Sequence, residues 1–343
     1  MLSTLVFAFE AVFPLVFLIF LGYWLRLRGI FSEEFLSKGY SFSFRVALPC
    51  LLFCNVYSIE SLSRIDFRTI LYAALVVLLL FLIGLALSVA MIADRRQRGV
   101  VTQCFFRSNC AILGISLTES LGGAFALQCA AVVTAFTIPL FNILAVVSLS
   151  VFCDDRKDRG HSGCSIDYCG IVKKIVTNPL IISVALGLVC LFVRSFIPLN
   201  AEGEKAFLLS RELKFLYSVV ENISRIASPL MLLILGGQFT FEASKSMKKQ
   251  ILLGTVGRIV AAPAIAIGLG FFLSRFGVLS LGAPEYATFI AVFATPVAVS
   301  SAIMAREMGN DEILAGQLVV YTSIGSVFTI FFLATLCRSF GLI

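Results

Sequence analysis

"FFRSNCAILGISL", residues 105–117, sets Arg107, Ser108, Asn109, Cys110 and Gly114 inside a run that is otherwise apolar. The 343-residue chain around it is 59% hydrophobic and only 14% charged, with a mean hydropathy of +1.00. A soluble domain carries about 25% charged residues, so this balance belongs to an integral membrane protein. A hydrocarbon core about 30 Å thick takes about 20 apolar residues per helix. Ten such stretches fit the chain, at about 4–25, 35–58, 68–92, 99–121, 123–152, 173–195, 213–238, 249–274, 283–305 and 311–337. The quoted segment falls in the fourth. Lipid cannot satisfy the backbone of an interrupted helix, so a polar break at that depth marks a protein-lined or wet cavity.

Outward from that segment, the two halves of the chain repeat. The first and sixth stretches read "PLVFLIFLG" from Pro14 to Gly22 and "PLIISVALG" from Pro179 to Gly187, both P-L-x5-L-G. The second and seventh carry "ALPCLLF" around Pro49 and "ASPLMLL" around Pro229, and the ninth is interrupted by "FATPVAVSSA" as the fourth is by the quoted run. Five stretches per half is an odd number, so the second half inserts upside down relative to the first. The expected fold is an all-α membrane protein of ten transmembrane helices in two inverted five-helix repeats. Residues 1–155 and 173–343 form the repeats and 156–172 a polar cytoplasmic linker. Helices four and nine are broken and cross at the midplane, with Pro49, Pro229, Gly114 and Pro296 as breaks or hinges.

The net charge of +7 is a matter of topology rather than of nucleic acid, which is not expected as a partner. With the N-terminus outside, fifteen of the 27 Lys and Arg fall on the cytoplasmic side and eight on the other, with four inside stretches. The bias puts both termini outside and the 153–172 loop in the cytoplasm. The first stretch is preceded by no basic residue and is too long for a signal-peptide core, so it is expected to be retained. The 10 cysteines lie mostly inside stretches and form no secreted disulfide framework. Cys153, His161, Cys164 and Cys169 offer ligand types for zinc, but their spacing matches no common finger. No metal and no cofactor are expected. No phosphate loop, nucleophile elbow or HExxH motif appears, and no enzyme is expected.

Inverted repeats with broken helices in matching positions point to a secondary transporter. A half-helix that starts at a break turns free N–H groups and partial positive charge toward it, which draws an anion. The expected binding residues are Ser108, Asn109, Cys110 and Gly114 of the fourth stretch with Thr295, Pro296 and Ser300 of the ninth. Asn109 can donate and accept, Gly114 permits close approach, and Pro296 suits the first turn of the following half-helix. Helix packing by small and polar residues is the other reading of Asn109 and Gly114. Four arginines fall inside stretches. Arg225 has Glu221 one turn away, at pairing distance, and Arg45 either snorkels or caps its own helix. Arg107 and Arg258 are the candidates for countering an anion. No carboxylate sits in either break, and the coupling ion, proton or sodium, stays open.

With these segments in hand, the chain resembles the auxin efflux carrier family, whose fold is related to that of bile acid:sodium symporters. The resemblance rests on "FRVALPCLLF", "RSNCAILGISLTESLG", "NPLIISVALGLV", "SPLMLLILGGQF" and "TPVAVSSAIMAREMG". It implies ten helices, a scaffold and a transport bundle, and substrate held where helices four and nine cross. Asn109 takes the place of the family's crossover asparagine and Pro296 that of its second crossover proline, while Arg258 falls where helix eight often carries a basic residue. The fourth stretch has Ile115-Ser116 where plant members carry a proline, and the linker is short. Both departures point to the compact bacterial branch in the inner membrane, and to small carboxylates such as malonate or malate rather than auxin. The expected function is secondary active or facilitative transport of small organic anions by alternating access; the alternative is a non-transporting receptor or sensor on the same fold. Homodimerisation is left open.

Overall fold

A computed structural model describes residues 2–58, 67–152, 177–197 and 208–343. The described residues are helical throughout and contain no strand, only an isolated antiparallel bridge between Ser108 and Val297. The helices are α1 (Leu2–Leu27), α2 (Glu33–Phe42), α3 (Leu48–Tyr57), α4 (Phe67–Met91), α5 (Arg95–Phe106), α6 (Ile115–Phe152), α7 (Pro179–Phe196) and α8 (Leu209–Glu212). They continue as α9 (Lys214–Gln238), α10 (Phe241–Ser246), α11 (Lys248–Val256), α12 (Ala262–Arg275), α13 (Ala283–Phe293), α14 (Ser300–Glu307) and α15 (Glu312–Ser339).

Among the described residues, six helical stretches are long and apolar enough to cross a bilayer: Glu33–Tyr57, Phe67–Met91, Leu117–Phe152, Lys214–Gln238, Lys248–Arg275 and Glu312–Ser339. Phe13–Leu27 and Pro179–Arg194 are shorter apolar helices. Helix lies on each of the ten expected stretches, but the fourth and ninth are divided, into α5 with the start of α6 and into α13 with α14. Large apolar side chains such as Phe20, Leu82, Phe192 and Phe328 stand exposed on the outer faces. That much exposed apolar surface fits a chain solvated by lipid. The linker at 156–172 and the cluster Cys153, His161, Cys164 and Cys169 lie outside the described residues.

The prolines behave differently from one another. Proline removes a donor and crowds the carbonyl four residues back, and a helix absorbs this by widening one turn, by kinking or by stopping. At Pro49 it widens: the π turn Ser43–Ala47 leads into α3, with Pro49 in that helix's first turn. The π turn Gly257–Ala261 precedes Pro263 in the same way, a feature the sequence reading did not assign. At Pro229 the expected break is absent, and α9 runs continuously from Lys214 to Gln238. Gly114 is not the break in the fourth stretch either. It ends a π turn, Cys110–Gly114, and the chain leaves helical geometry earlier, at Arg107. A Cβ on Gly114 would crowd Cys110 of the same turn at 3.1 Å, while the Ala291 carbonyl of α13 would stand at an ordinary contact distance of 3.4 Å. Gly123, at φ 69°, separates the fourth and fifth stretches within α6.

The two P-L-x5-L-G glycines do matched work. A Cβ on Gly22 of α1 would overlap the Leu233 carbonyl of α9, and reciprocally one on Gly236 of α9 would overlap the Ile19 carbonyl. On Gly187 of α7 it would press on Val56 of α3 at 2.9 Å. Small residues permit this backbone-close packing in membranes, where van der Waals contact rather than water exclusion drives association.

Candidate functional site

α5 ends at Phe106 because Arg107 adopts extended dihedrals, φ −81° and ψ 110°. The segment that follows pairs with the segment that follows α13. The Asn109 amide donates to the Pro296 carbonyl at 2.9 Å, and the Ala298 amide donates to the Arg107 carbonyl at 3.4 Å. The breaks in the fourth and ninth stretches therefore supply each other's missing backbone partners, as burial away from water requires. Pro296 lies inside this pairing, four residues before α14 begins, rather than in that helix's first turn as expected.

Side chains extend the pairing. The Cys110 amide donates to Ser108 Oγ at 3.0 Å, Ser108 Oγ and Thr295 Oγ1 are 2.7 Å apart, and Thr295 Oγ1 donates to the Ala291 carbonyl at 2.9 Å. A hydroxyl has one proton, so Thr295's gift to Ala291 fixes the direction: Ser108 donates to Thr295. Thr322 of α15 closes the other side, its hydroxyl accepting from the Val297 amide at 3.2 Å.

Two buried arginines flank the pair. Arg258, fully buried in its π turn, donates from Nε to the Thr295 carbonyl at 2.9 Å and from Nη1 to the Phe105 carbonyl at 3.3 Å. Its Nη2 donates to the carbonyls of Val292 at 3.0 Å and Phe293 at 2.9 Å. Phe105, Val292 and Phe293 belong to the last turns of α5 and α13, where carbonyls lack helical partners and the helix dipole is negative. Arg258 thus caps both helices that end at the breaks. The expectation that it counters an anion is not supported, because main-chain carbonyls occupy its guanidinium.

Arg107, 3% exposed, has different company. Its Nη2 donates to Asn142 Oδ1 at 2.9 Å and to Ser300 Oγ at 2.8 Å, and its Nη1 meets the sulfur of Met304. Asn142 is itself held, its Nδ2 donating to the Ile138 carbonyl at 2.9 Å. All three partners are neutral, and among the described residues no carboxylate pairs with Arg107.

Arg107, Ser108, Asn109, Asn142 and Ser300 line one cavity, with Leu48, Leu51, Leu52 and Asn55 of α3, Ile138 and Phe141 of α6 and Met231 of α9 as its wall. It has about 490 Å³ of atom-free space to its open mouth, of which the centre of a water molecule can sweep about 50 Å³. At about 10–15 Å³ per water on that measure, the slot admits a small solute. Asn109 is 4% exposed, and its side-chain Nδ2 has no partner. Cys110, Gly114, Thr295, Pro296 and Arg258, expected at the site, do not line the cavity but build the turn and pairing behind it. Asn142, Met304 and Asn55 were missed; the two asparagines carried a visible signal, an isolated polar residue in an apolar run, in "FNILAVV" and "FCNVY", and Met304 carried none. Arg45 is exposed, and Arg225 pairs with Glu221 at 2.9 Å.

Two further regions frame the site. The end of α14 docks on α2: Arg306 donates to Ser37 Oγ at 3.0 Å, lies over the Tyr40 ring at 4.7 Å and pairs with Glu312 at 3.2 Å. Ser41 adds a hydrogen bond to Glu307 at 3.3 Å. A larger hollow lies along α12 and α15, with about 1210 Å³ of atom-free space, of which the centre of a water molecule can sweep about 580 Å³; Val260, Phe271, Phe332 and Phe340 are among its walls. It is almost wholly apolar and shares no residue with the breaks.

The chain matches a family model described as "Membrane transport protein" over residues 7–154 and 169–334. Comparison with curated proteins gives no match. The match spans nearly the whole chain and both broken stretches, so the protein belongs to the membrane transport protein family of auxin efflux carriers.

Proposed function

We propose that this transporter moves a small organic anion, a carboxylate, by alternating access around the paired segments. The observation that carries it is Arg107. A buried guanidinium with only neutral partners is costly in a low-dielectric interior, and an anion in the adjoining cavity would offset that cost. Asn109 Nδ2, buried and unpartnered, supplies a second donor, and carboxylates accept such donors well.

The same reading takes residues 1–155 and 173–343 as inverted repeats joined through 156–172, with both termini outside a bacterial inner membrane. The glycine contacts favour it. An inverted repeat equates the first stretch with the sixth and the second with the seventh, so the contact of α1 with α9 has its counterpart in α7 with α3. The residue pairs at Gly22 and Gly187 fit that exchange. Access to the cavity alternates as the bundle bearing the breaks moves against α3 and α9, and the Arg306 contacts with α2 open at one mouth. Either secondary active or facilitative movement satisfies this geometry.

Purified protein in liposomes, given labelled mono- and dicarboxylates with and without proton or sodium gradients, tests the proposal. Specific uptake is expected, and Asn109→Ala should abolish it while leaving a folded, monodisperse protein. Wild-type uptake by that variant would remove the site.

A further inference from the structure

The cavity has a second unpartnered donor, on α3. Leu48, Leu51, Leu52 and Asn55 occupy one face of α3, at helical spacings of three, four and seven, and all four line the cavity. Asn55 is the sole polar member of that face, and its buried Nδ2 has no hydrogen-bond partner. Burying an amide donor without a partner is unfavourable, so a leucine there would make the more stable wall. The cavity wall beside Asn55 is therefore apolar, formed on this face by Leu48, Leu51 and Leu52.

Charge limits what Asn55 meets. Arg107 is the one charged side chain among the cavity's described lining residues, so the site balances one negative charge. A second carboxylate against a leucine face would be desolvated for a single neutral donor, which does not repay an anion's burial. A ketone, ester or amide carbonyl matches one neutral N–H. We propose that Asn55 is a specificity-determining residue and that the substrate is a monoanionic acid bearing a neutral carbonyl acceptor, separated from its carboxylate by a short apolar segment. This rests on the anion site at Arg107 and Asn109, and deepens it.

Three acids of one chain length separate the possibilities: pentanoate, 4-oxopentanoate and pentanedioate, each titrated calorimetrically into the full chain in nanodiscs. In the wild type, 4-oxopentanoate should bind about tenfold tighter than either of the others, the scale of one net hydrogen bond. Asn55→Leu should cut its advantage over pentanoate to below twofold, and Asn55→Gln, which keeps the amide, should recover part of it. An unchanged ratio in Asn55→Leu overturns the role of Asn55 and leaves the anion site standing. Preference of the wild type for pentanedioate overturns the neutral acceptor. If none of the acids binds, or all bind equally to Asn109→Ala and Arg107→Gln proteins, the anion site fails and this inference with it.

Discussion

Arg107 and Arg258 are both buried, both beside the paired segments and both without a carboxylate partner among the described residues, yet they hold opposite kinds of neighbour. Arg258 donates four hydrogen bonds to main-chain carbonyls, acceptors that no side-chain movement can withdraw. Arg107 is held by an amide oxygen, a hydroxyl and a thioether, all at the tips of side chains, two of them lining the cavity. Fixed carbonyls make a strut. Exchangeable tips make a charge that a ligand can share.

The largest effect should come from breaking the strut. Arg258→Met leaves four carbonyls without that donor and two helix ends uncapped, in surroundings where each unsatisfied group costs several kcal/mol. A loss above about 4 kcal/mol is expected, read as aggregation in detergent or a large fall in Tm. Arg258→Lys should restore only part, since an ammonium has three donors on a flexible stem and lacks the planar fork. A stable Arg258→Met protein with weakened anion binding would erase the distinction between the two arginines.

Arg107→Gln should show the converse. The amide can still reach Asn142 or Ser300, so Tm should stay within a few degrees of wild type. Anion affinity should fall at least about tenfold, the scale of a lost charge-assisted hydrogen bond, measured by titration or by uptake at subsaturating substrate. A large fall in Tm with unchanged affinity would make Arg107 a second strut.

How much of this was legible depends on how far each residue's partner lies along the chain. The break at Arg107–Asn109 could be read directly, because short polar side chains in an apolar run announce themselves locally. The P-L-x5-L-G glycines were visible as a pattern, but their mates, Leu233 and Val56, were not. The roles of the arginines were hidden for the same reason: Arg258 reaches Phe105 across 153 positions and Arg107 reaches Ser300 across 193. Charge and depth alone cannot say which guanidinium meets carbonyls. Pro49 and Pro229 read alike, yet one follows a widened turn and the other lies in an unbroken helix, a difference their flanking residues do not announce.

The smallest expected effect sharpens the boundary between the two arginines. Thr295 sits between them: its carbonyl accepts from Arg258, and its hydroxyl links Ser108 to the Ala291 carbonyl without lining the cavity. Thr295→Val keeps the shape and the carbonyl but deletes that link, leaving the Ser108 proton without its acceptor. One neutral buried hydrogen bond is worth about 1 kcal/mol net, and an orphaned partner adds to the loss, so Tm should drop by a few degrees. Anion affinity should change less than twofold, because Arg107, Asn109 and Asn142 keep their positions. A drop in affinity larger than the drop in stability predicts would mean that the hydroxyl relay sets the donors facing the cavity, so that strut and site are one unit.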